Sequence, residues 1–269
     1  MNTPCHWCVA DYLFTSGAAT TASRLGMPDL AIATLNDFAE AAQMVCGINP
    51  TVPVIADADT GFGGPANVAR TVYKYVRAGV AAMHIEDQVQ TKRCGHLMGK
   101  QVVSREEFIT RIRAAVIARD SLPGGSNFVI IGRTDSAQVL GMDEAITRLK
   151  LAADAGADVC FIEGVKTQEL LEKTVQALAP KPVLVNVISG GLTPSFTCKE
   201  AEEMGAKIIS KLHLMFDLGF YSSKRISQFS PLSLALLLCT PYVLPWPPLR
   251  RLAQTSAQLR AWIRRRSLR

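Results

Sequence analysis

The sequence predicts an α/β fold, and within that class an eight-stranded (β/α)8 barrel of the TIM type. Short β-rich runs alternate with longer helical stretches from Asp11 to about Ile209. Several of the helical stretches end at a glycine, and most of the β-rich runs end in polar residues. Alternation of this kind is typical of parallel strands that are joined by crossover helices.

The predicted elements can be placed along the chain. Seven runs are predicted to form strands, at residues 12–15, 54–58, 82–86, 129–133, 159–163, 183–187 and 207–209. The helices predicted between them include residues 65–78, 105–119, 143–155 and 167–178. Gly79, Gly156 and Gly205 follow helical stretches, and glycine commonly ends a helix because it adopts a left-handed backbone at no steric cost. Because closure takes eight strands, we expect a barrel that lacks its first βα unit and has an atypical C-terminus.

Polar residues at the carboxyl ends of the strands decide between a barrel and an open sheet. An open doubly wound sheet collects its ligands at one crevice between two strands, whereas a barrel collects side chains from many strand ends at one mouth. Six predicted strands contribute such residues, namely Ser16 with Gly17, Asp57 with Asp59, His84 with Glu86, Arg133 with Asp135, Glu163, and Asn186. This distribution favours the barrel.

The charge distribution divides the chain into a near-neutral domain and a basic tail. Ten of the 29 basic residues lie in residues 211–269, which leaves 19 basic and 22 acidic residues in residues 1–210. We therefore predict a single catalytic barrel domain at 1–210 and a divergent, basic, Pro-rich tail at 211–269. The near-neutral domain gives no reason to expect a nucleic-acid partner.

Cysteine usage and apolar segments bear on the cellular compartment. The chain has seven scattered cysteines and begins Met1-Asn2-Thr3-Pro4, without a basic region followed by an apolar run. We expect a reduced, intracellular protein, with the cytoplasm and the mitochondrion both left open. Five prolines interrupt the apolar stretch at 230–249. Because a membrane anchor needs about 20 uninterrupted apolar residues, no membrane association is expected.

An acidic motif follows the second predicted strand. Asp57 and Asp59 are two residues apart, so on a strand their side chains face the same way. Glu86 ends the next strand, and the three carboxylates form an oxygen-rich set of the kind that Mg²⁺ prefers. A helix N-cap or a solvated turn would account for one acid but not for three. We expect these three residues to hold Mg²⁺, with Mn²⁺ as an alternative.

Three further strand ends carry groups suited to a carboxylic acid ligand. A guanidinium group can hold a carboxylate through two parallel hydrogen bonds, which makes Arg133 a candidate for substrate binding. Glu163 and Asn186 are candidates for orienting the ligand. A structural ion pair of Arg133 with Asp135 or Glu163 is the alternative. Because a divalent metal stabilises charge on a chelated 2-oxo or 2-hydroxy acid, we expect a small-molecule carboxylic acid as substrate.

The loop at residues 92–100, called the Cys94 loop below, contains Lys92-Arg93-Cys94-Gly95-His96. Neighbouring cations can lower the pKa of a thiol, and such a thiol can transfer protons near neutral pH. Glycines at 95 and 99 give the loop the composition of a lid that closes over a substrate. We expect proton transfer by Cys94, assisted by Lys92 and His96. Nucleophilic attack by the thiol is the competing role.

Together these motifs resemble those of the isocitrate lyase and phosphoenolpyruvate mutase superfamily, and within it the branch of 2-methylisocitrate lyase-like and oxaloacetate hydrolase-like enzymes. The resemblance covers about residues 12–209. The motifs that occur in family order are Ser16-Gly17-Ala18, Gly26-Met27-Pro28-Asp29, Asp57-Ala58-Asp59-Thr60-Gly61-Phe62-Gly63, His84-Ile85-Glu86-Asp87-Gln88, Lys92-Arg93-Cys94-Gly95-His96, Arg133-Thr134-Asp135, Glu163 and Asn186.

The resemblance implies a Mg²⁺-dependent barrel that cleaves or rearranges a bond beside a 2-oxo acid carboxylate and works as a homo-oligomer. The three acids named above would hold the metal and its waters. The other roles carried over by matching motif are binding of the 2-oxo acid end by Ser16, Gly17 and Ala18, substrate contacts by Gly95, Arg133, Glu163 and Asn186, assistance near the metal by Asp29, and proton donation to the departing carbanion by Cys94.

The function implied by the resemblance is a lyase that acts on a carbon–carbon bond of a 2-hydroxy di- or tricarboxylate such as 2-methylisocitrate, isocitrate or dimethylmalate. A Cys-Gly-His loop resembles the lyases and hydrolases, whereas phosphonomutases usually carry a loop without the thiol. The surroundings of Glu163 resemble the oxaloacetate hydrolases and dimethylmalate lyases. The alternatives are hydrolysis of oxaloacetate to oxalate and acetate, phosphonomutase-like chemistry, and an inactive truncated barrel.

Overall fold

Parallel strands alternate with helices and form a nearly closed barrel. The computed structural model describes residues 12–95, 97–123, 127–188, 193–194, 197–212 and 261. The strands in this part of the chain are β1 (Leu13–Thr15), β2 (Val54–Asp57), β3 (Ala82–Glu86), β4 (Val129–Thr134), β5 (Val159–Ile162), β6 (Val183–Ile188) and β7 (Ile208–Leu212). The helices are α1 (Gly17–Leu25), α2 (Leu35–Ile48), α3 (Pro65–Arg77), α4 (Arg105–Asp120), α5 (Ser136–Leu140), α6 (Met142–Asp154), α7 (Gln168–Leu178) and α8 (Cys198–Glu203).

The strands lie side by side in chain order, and each is hydrogen-bonded in parallel to the next. All seven predicted strands are confirmed, and β7 extends past its predicted end at 209 to Leu212. The predicted helices correspond to α3, α4, α6 and α7. Gly79, Gly156 and Gly205 have φ values of +87°, +108° and +88°, as expected for residues that end a helix. The predicted absence of the first βα unit and the predicted basic tail concern segments that lie outside the described residues, apart from the end of β7.

Helix starts follow from local capping chemistry. Pro65 occupies the first turn of α3, where its missing N–H costs nothing. Ser104 and Thr167 cap α4 and α7, because their hydroxyl oxygens accept hydrogen bonds from Glu107 N and Leu170 N. The longer helices α2, α3, α4 and α6 then bury apolar side chains in the layer around the strands. Burial of each large side chain in this layer contributes about 1.5–3 kcal/mol relative to exposure.

Along each strand, side chains point alternately into the barrel and toward the helices. The inward-pointing side chains fill the inside of the barrel. This interior row comprises Tyr12, Phe14, Ile55, Ala81, Ala82, Val129, Ile131, Val159, Phe161, Leu184 and Ile208. It includes residues from or next to every described strand, which is the arrangement of a barrel and not of an open sheet. Between β1 and β7 no ladder is formed by the described residues, but Tyr12 Oη donates a hydrogen bond of 2.5 Å to Ile209 O. The two ends of the sheet are therefore in contact.

No helix within the described residues is long and apolar enough to cross a membrane. The Pro-rich apolar stretch at 230–249 lies outside those residues.

Candidate active site

The candidate site residues continue the interior row toward the carboxyl ends of the strands. Asp57 follows Ile55 by two residues, Arg133 follows Ile131, and Glu163 follows Phe161, so each polar side chain faces the same way as the apolar residue before it. His84 and Glu86 follow Ala82 in the same manner. The pattern that fills the barrel with apolar groups thus places polar groups at its mouth.

Asp57 is buried and holds the start of α1. Its Oδ2 accepts a hydrogen bond of 2.9 Å from Gly17 N, and its Oδ1 accepts one of 2.9 Å from Asp59 N. A Cβ atom on Gly17 would lie 2.8 Å from Asp57 Oδ2, so only glycine permits this approach. Ser16 caps α1 through a 3.4 Å hydrogen bond from Ala19 N. Ser16, Gly17 and Ala18 therefore lie at the start of α1 beside Asp57, and their role in binding the 2-oxo acid end stays a prediction.

Lys92 links two acids of the site. Its Nζ lies 2.6 Å from Asp29 Oδ1 and 2.6 Å from Asp59 Oδ1. Burial disfavours the ammonium ion, but the surrounding carboxylates raise the pKa of Lys92 well above its usual value. Burial is also the main reason that the pKa of Asp59 rises to about 7, although Lys92 opposes the shift. Asp59 has a φ of +44°, a strained left-handed backbone for a residue with a side chain.

Glu86 is the most isolated carboxylate of the site. It is fully buried, and neither of its carboxylate oxygens has a hydrogen-bond partner among the described residues. Arg133 Nε lies 3.3 Å from Glu86 Oε2. Burial, the largest influence, raises the pKa of Glu86 well above its usual value despite that cation. A buried carboxylate without hydrogen bonds is costly, and such a group is suited to a cation or its water ligands.

The predicted metal ligands are close neighbours in the fold. Asp57 and Glu86 end the adjacent strands β2 and β3, and Asp59 follows Asp57. No group of three or more His, Cys, Asp or Glu side chains in the described part of the chain is arranged to hold a metal ion directly. The observation that fits a cation is the pair of buried Glu86 oxygens without a hydrogen-bond partner among the described residues, since Mg²⁺ commonly takes one or two direct carboxylates and keeps part of its water shell. Metal binding stays a prediction.

His84 lies beneath the acids inside the barrel. Its ring stacks on Phe14 at 5.1 Å and meets Phe161 edge-on at 5.5 Å. Burial lowers the pKa of His84 to about 4, which outweighs the effect of Asp57 3.5 Å away. A pKa lowered in this way favours the neutral imidazole at physiological pH.

Arg133 is the centre of a second cluster. It donates to Asp135 through Nε at 2.9 Å and through Nη2 at 3.3 Å, so the structural ion pair considered as its alternative role is present. Its Nη2 lies 3.6 Å from Glu163 Oε2, and Asn186 Nδ2 donates to the same oxygen at 3.5 Å. Arg133 on β4, Glu163 directly after β5 and Asn186 on β6, three of the predicted substrate-binding residues, are thus brought together.

The Cys94 loop spans these two clusters. Cys94 N donates to Asp29 O at 3.1 Å, which joins the thiol-bearing residue to the first cluster. Gly95 lies against the second, because a Cβ at that position would be 2.4 Å from Arg133 Nη2 and 2.9 Å from Glu163 Cγ. His96 lies outside the described residues. The predicted roles of Cys94, Lys92 and His96 in proton transfer stay predictions.

Sequence reasoning missed several residues that hold the site together. Lys100, the last residue of the Cys94 loop, donates to Gly95 O, Tyr75 Oη donates to Asp57 O, and Arg148 forms an ion pair with Asp87. Lys100 and Arg148 are charged residues that the structure buries. Their own helix or loop gives no signal for burial, because their partners come from other elements. Asp87 and Asp135 lie within the sequence motifs described above. Their partners, Arg148 and Lys100, could be identified only from the fold.

The fold and the site define a parallel (β/α) barrel with buried acids, a guanidinium group and a thiol-bearing loop at the carboxyl ends of its strands. The family model described as phosphoenolpyruvate phosphomutase matches residues 7–228. The chain belongs to this family, in the superfamily that also includes isocitrate lyase.

Named relatives of the chain differ in the reaction that they catalyse. The chain is 44% identical over 189 residues to 2-methylisocitrate lyase of Salmonella typhimurium, a match that covers 70% of this chain and 62% of that protein. It is 40% identical over 198 residues to 2,3-dimethylmalate lyase of Eubacterium barkeri, covering 74% of this chain and 66% of the relative. The match to each of these proteins spans less than two thirds of its length.

A solved structure of oxaloacetate acetylhydrolase, in complex with the inhibitor 3,3-difluorooxalacetate, is similar to the fold of this chain. The TM-score is 0.74 and the sequence identity 44%, with 84% of this chain and 80% of that chain covered. The superfamily assigned from the sequence motifs is therefore confirmed.

Proposed function

We propose that the protein is a Mg²⁺-dependent lyase that cleaves a carbon–carbon bond of a 2-hydroxy di- or tricarboxylate, with Cys94 as the proton donor. The observation that carries the proposal is the position of the Cys94 loop. It bridges an acid cluster fit for a cation and a cluster of Arg133, Glu163 and Asn186 fit for a carboxylate. The similarity to 2-methylisocitrate lyase and 2,3-dimethylmalate lyase supports the same reaction class.

The chain's own residues have distinct tasks in this reaction. Arg133 would hold a substrate carboxylate, and its ion pair with Asp135 fixes its direction. Gly17 and its neighbours on α1 would bind the end that becomes the 2-oxo acid. A bound Mg²⁺, held by Asp57, Asp59 and Glu86 directly or through water, would act as a Lewis acid toward negative charge on oxygen.

The bond change balances within the substrate and one thiol. A base removes the proton of the 2-hydroxyl group, the carbon–oxygen bond becomes a carbonyl, and the carbon–carbon bond breaks with its electron pair going to the departing carbon as an enolate. The Cys94 thiol then donates its proton to that carbon, and the thiolate regains a proton from solvent. Because no acyl group is transferred to sulfur, this scheme does not need Cys94 as a nucleophile.

A panel of substrates tests the proposal. Purified protein is incubated with 2-methylisocitrate, isocitrate, dimethylmalate and oxaloacetate, with and without Mg²⁺, and the products are identified. We expect Mg²⁺-dependent turnover of at least one 2-hydroxy acid and a loss of at least about 100-fold in Cys94→Ser, as for removal of a general acid. Cys46→Ser is the matched control, since Cys46 packs beside Gly79 at the opposite end of the barrel. Full activity in Cys94→Ser would exclude the proton-donor role.

Hydrolysis of oxaloacetate is the second candidate function. It is favoured by the similarity to oxaloacetate acetylhydrolase in both sequence and fold. Formation of oxalate and acetate, without turnover of the 2-hydroxy acids, would select it. A chain without activity on any of the four acids, whose melting temperature also fails to respond to Mg²⁺ with oxalate, would be an inactive barrel.

A further inference from the structure

We propose that Lys100 is a positioning residue that holds the Cys94 loop against the substrate-binding cluster by donating hydrogen bonds to Gly95 O and to Asp135. The inference rests on the proposed function in one respect, because the loop is taken to carry the proton donor. The contacts themselves do not depend on the reaction.

Lys100, the last residue of the Cys94 loop, links Gly95 within the loop to Asp135, the residue that follows β4. Its Nζ donates to Gly95 O at 2.7 Å and to Asp135 Oδ1 at 2.7 Å. The side chains of Lys100 and Asp135 are both fully buried. A buried ammonium ion has lost its hydration, so it depends on its hydrogen-bond acceptors to offset that loss. Movement of Gly95 away from the site would leave one donor of a buried cation without an acceptor.

Gly95 is the point at which the loop meets the substrate-binding cluster. The contact with Arg133 and Glu163 is close enough to exclude any side chain at position 95. Because the Lys100 bond ends on the carbonyl of Gly95 itself, it acts on the residue next to Cys94. Lys100 therefore determines how far the thiol lies from a ligand bound to Arg133.

Asp135 connects Lys100 to the substrate-binding cluster. It accepts from Arg133 and from Lys100, so the group that orients the guanidinium also holds the loop. Burial alone would raise the pKa of Asp135, but the two cations lower it to about 2, which keeps the carboxylate ionised throughout the neutral range. Asp135 N also donates to Asp87 Oδ1 at 2.8 Å, which fixes the backbone of β4's end.

Thiol labelling tests the contact without any need for turnover. The rates of alkylation of Cys94 and Cys160 by iodoacetamide are measured by peptide mass spectrometry in the wild type, in Lys100→Met and in Lys181→Met. Lys181 is the matched control, because its Nζ also donates to a backbone carbonyl, Ala157 O at 2.8 Å, near the amino ends of the strands. Cys160 is fully buried in β5 and reports loosening of the whole fold.

We expect Cys94 in Lys100→Met to react at least about tenfold faster than in the wild type, with Cys160 and the control variant unchanged. Loss of a nearby cation would by itself slow a thiol, so a faster rate reports exposure. A wild-type rate at Cys94 would overturn the proposal. If Cys160 also reacts faster, Lys100→Gln is compared in the same way, and parallel gains at both cysteines there would overturn a local role.

Kinetics separate positioning from mere support of the fold. With whichever substrate is turned over, we expect kcat to fall at least about tenfold in Lys100→Met while KM changes less than about threefold, because Arg133 keeps Asp135 as its partner. Faster labelling of Cys94 with an unchanged kcat would show that Lys100 holds the loop but does not contribute to the reaction. If the wild type turns over none of the substrates, the proposed function fails, while the labelling still decides the role of Lys100.

Discussion

Buried charges at the mouth of the barrel are paired with one another residue by residue. Lys92 lies between Asp29 and Asp59, and Arg133 lies between Asp135 and Glu86. Such pairs do little for net stability, because desolvation offsets most of their attraction. They do determine the direction of each charged group, which is the property that a binding site needs.

Gly95 permits the close approach of the Cys94 loop to Arg133. In Gly95→Ala the added methyl group would overlap Arg133 Nη2, so we expect kcat/KM to fall at least about tenfold, equivalent to about 1.4 kcal/mol. Gly47→Ala in α2 is the control, because nothing lies within 4 Å of its Cβ position. That change should leave turnover intact and stabilise the helix by about 0.5–1 kcal/mol. Unchanged kcat/KM in Gly95→Ala would contradict the close contact.

Asp59 couples cation binding to pH. Its folded-state pKa of about 7 lies above its ordinary value of 3.8, so it destabilises the ion-free fold increasingly as pH rises from 3.8 to 7. A cation at the acids must displace this proton. We expect the apparent Mg²⁺ affinity to be about tenfold higher at pH 8 than at pH 6, measured by titration calorimetry. Equal affinities at the two pH values would refute the coupling, and Asp59→Asn should weaken the dependence, leaving the part that comes from Glu86, whose pKa is also raised.

At the scale of elements, the strand ends carry the site residues, and α6 supports them through Arg148. Arg148 of α6 donates to Asp87 Oδ2 at 3.1 Å and to Val103 O at 2.8 Å, and it also pairs with Glu144. Asp87 in turn accepts from Thr134 Oγ1 and Asp135 N on the next strand. One helix thereby supports the ends of β3 and β4 where the site lies.

Removal of the Arg148 guanidinium should destabilise the protein more than an ordinary surface change. In Arg148→Met, Asp87 would remain buried without its cation, and we expect the free energy of unfolding to fall by about 3 kcal/mol. Urea denaturation followed by circular dichroism measures the difference. Arg113→Met, an exposed arginine on α4, should change stability by less than about 0.5 kcal/mol. Similar losses in the two variants would show that the Asp87 pair does not support the strands.

At the scale of the molecule, closure of the barrel depends on contact between its first and last described strands. The interior row packs residues from all seven strands against one another, and the Tyr12 hydroxyl group bridges the gap to β7. Because the site collects residues from β2 to β6, closure also determines the distance between the acid cluster and the Arg133 cluster.

Loss of the Tyr12 hydroxyl group should weaken this closure. Tyr12→Phe keeps the ring in the interior but leaves Ile209 O without that donor, and we expect a loss of about 1–2 kcal/mol of stability. Thermal unfolding of the variant is compared with that of Tyr73→Phe, whose ring lies on the exposed side of α3. A melting temperature equal to that of the wild type would indicate that the contact does not contribute to closure.

The sequence by itself determined the barrel class, the seven strands and most of the candidate site. Strand periodicity and helix-ending glycines are local signals, and the polar residues at strand ends need only the rule that parallel strands share one carboxyl edge. For this reason the sequence alone was enough to predict five site residues, namely Asp57, Glu86, Arg133, Glu163 and Asn186.

Only the tertiary structure decided which charges meet. Whether Lys92 contacts the thiol or the acids, and whether Lys100 is a solvated surface lysine or a buried bridge, depends on the path of a loop between two strand ends. A lysine carries the same local signal in both settings, because its burial is determined by partners distant in the chain, Asp29 and Asp59 for Lys92 and Asp135 for Lys100. The balance between desolvation and pairing is a property of the assembled barrel.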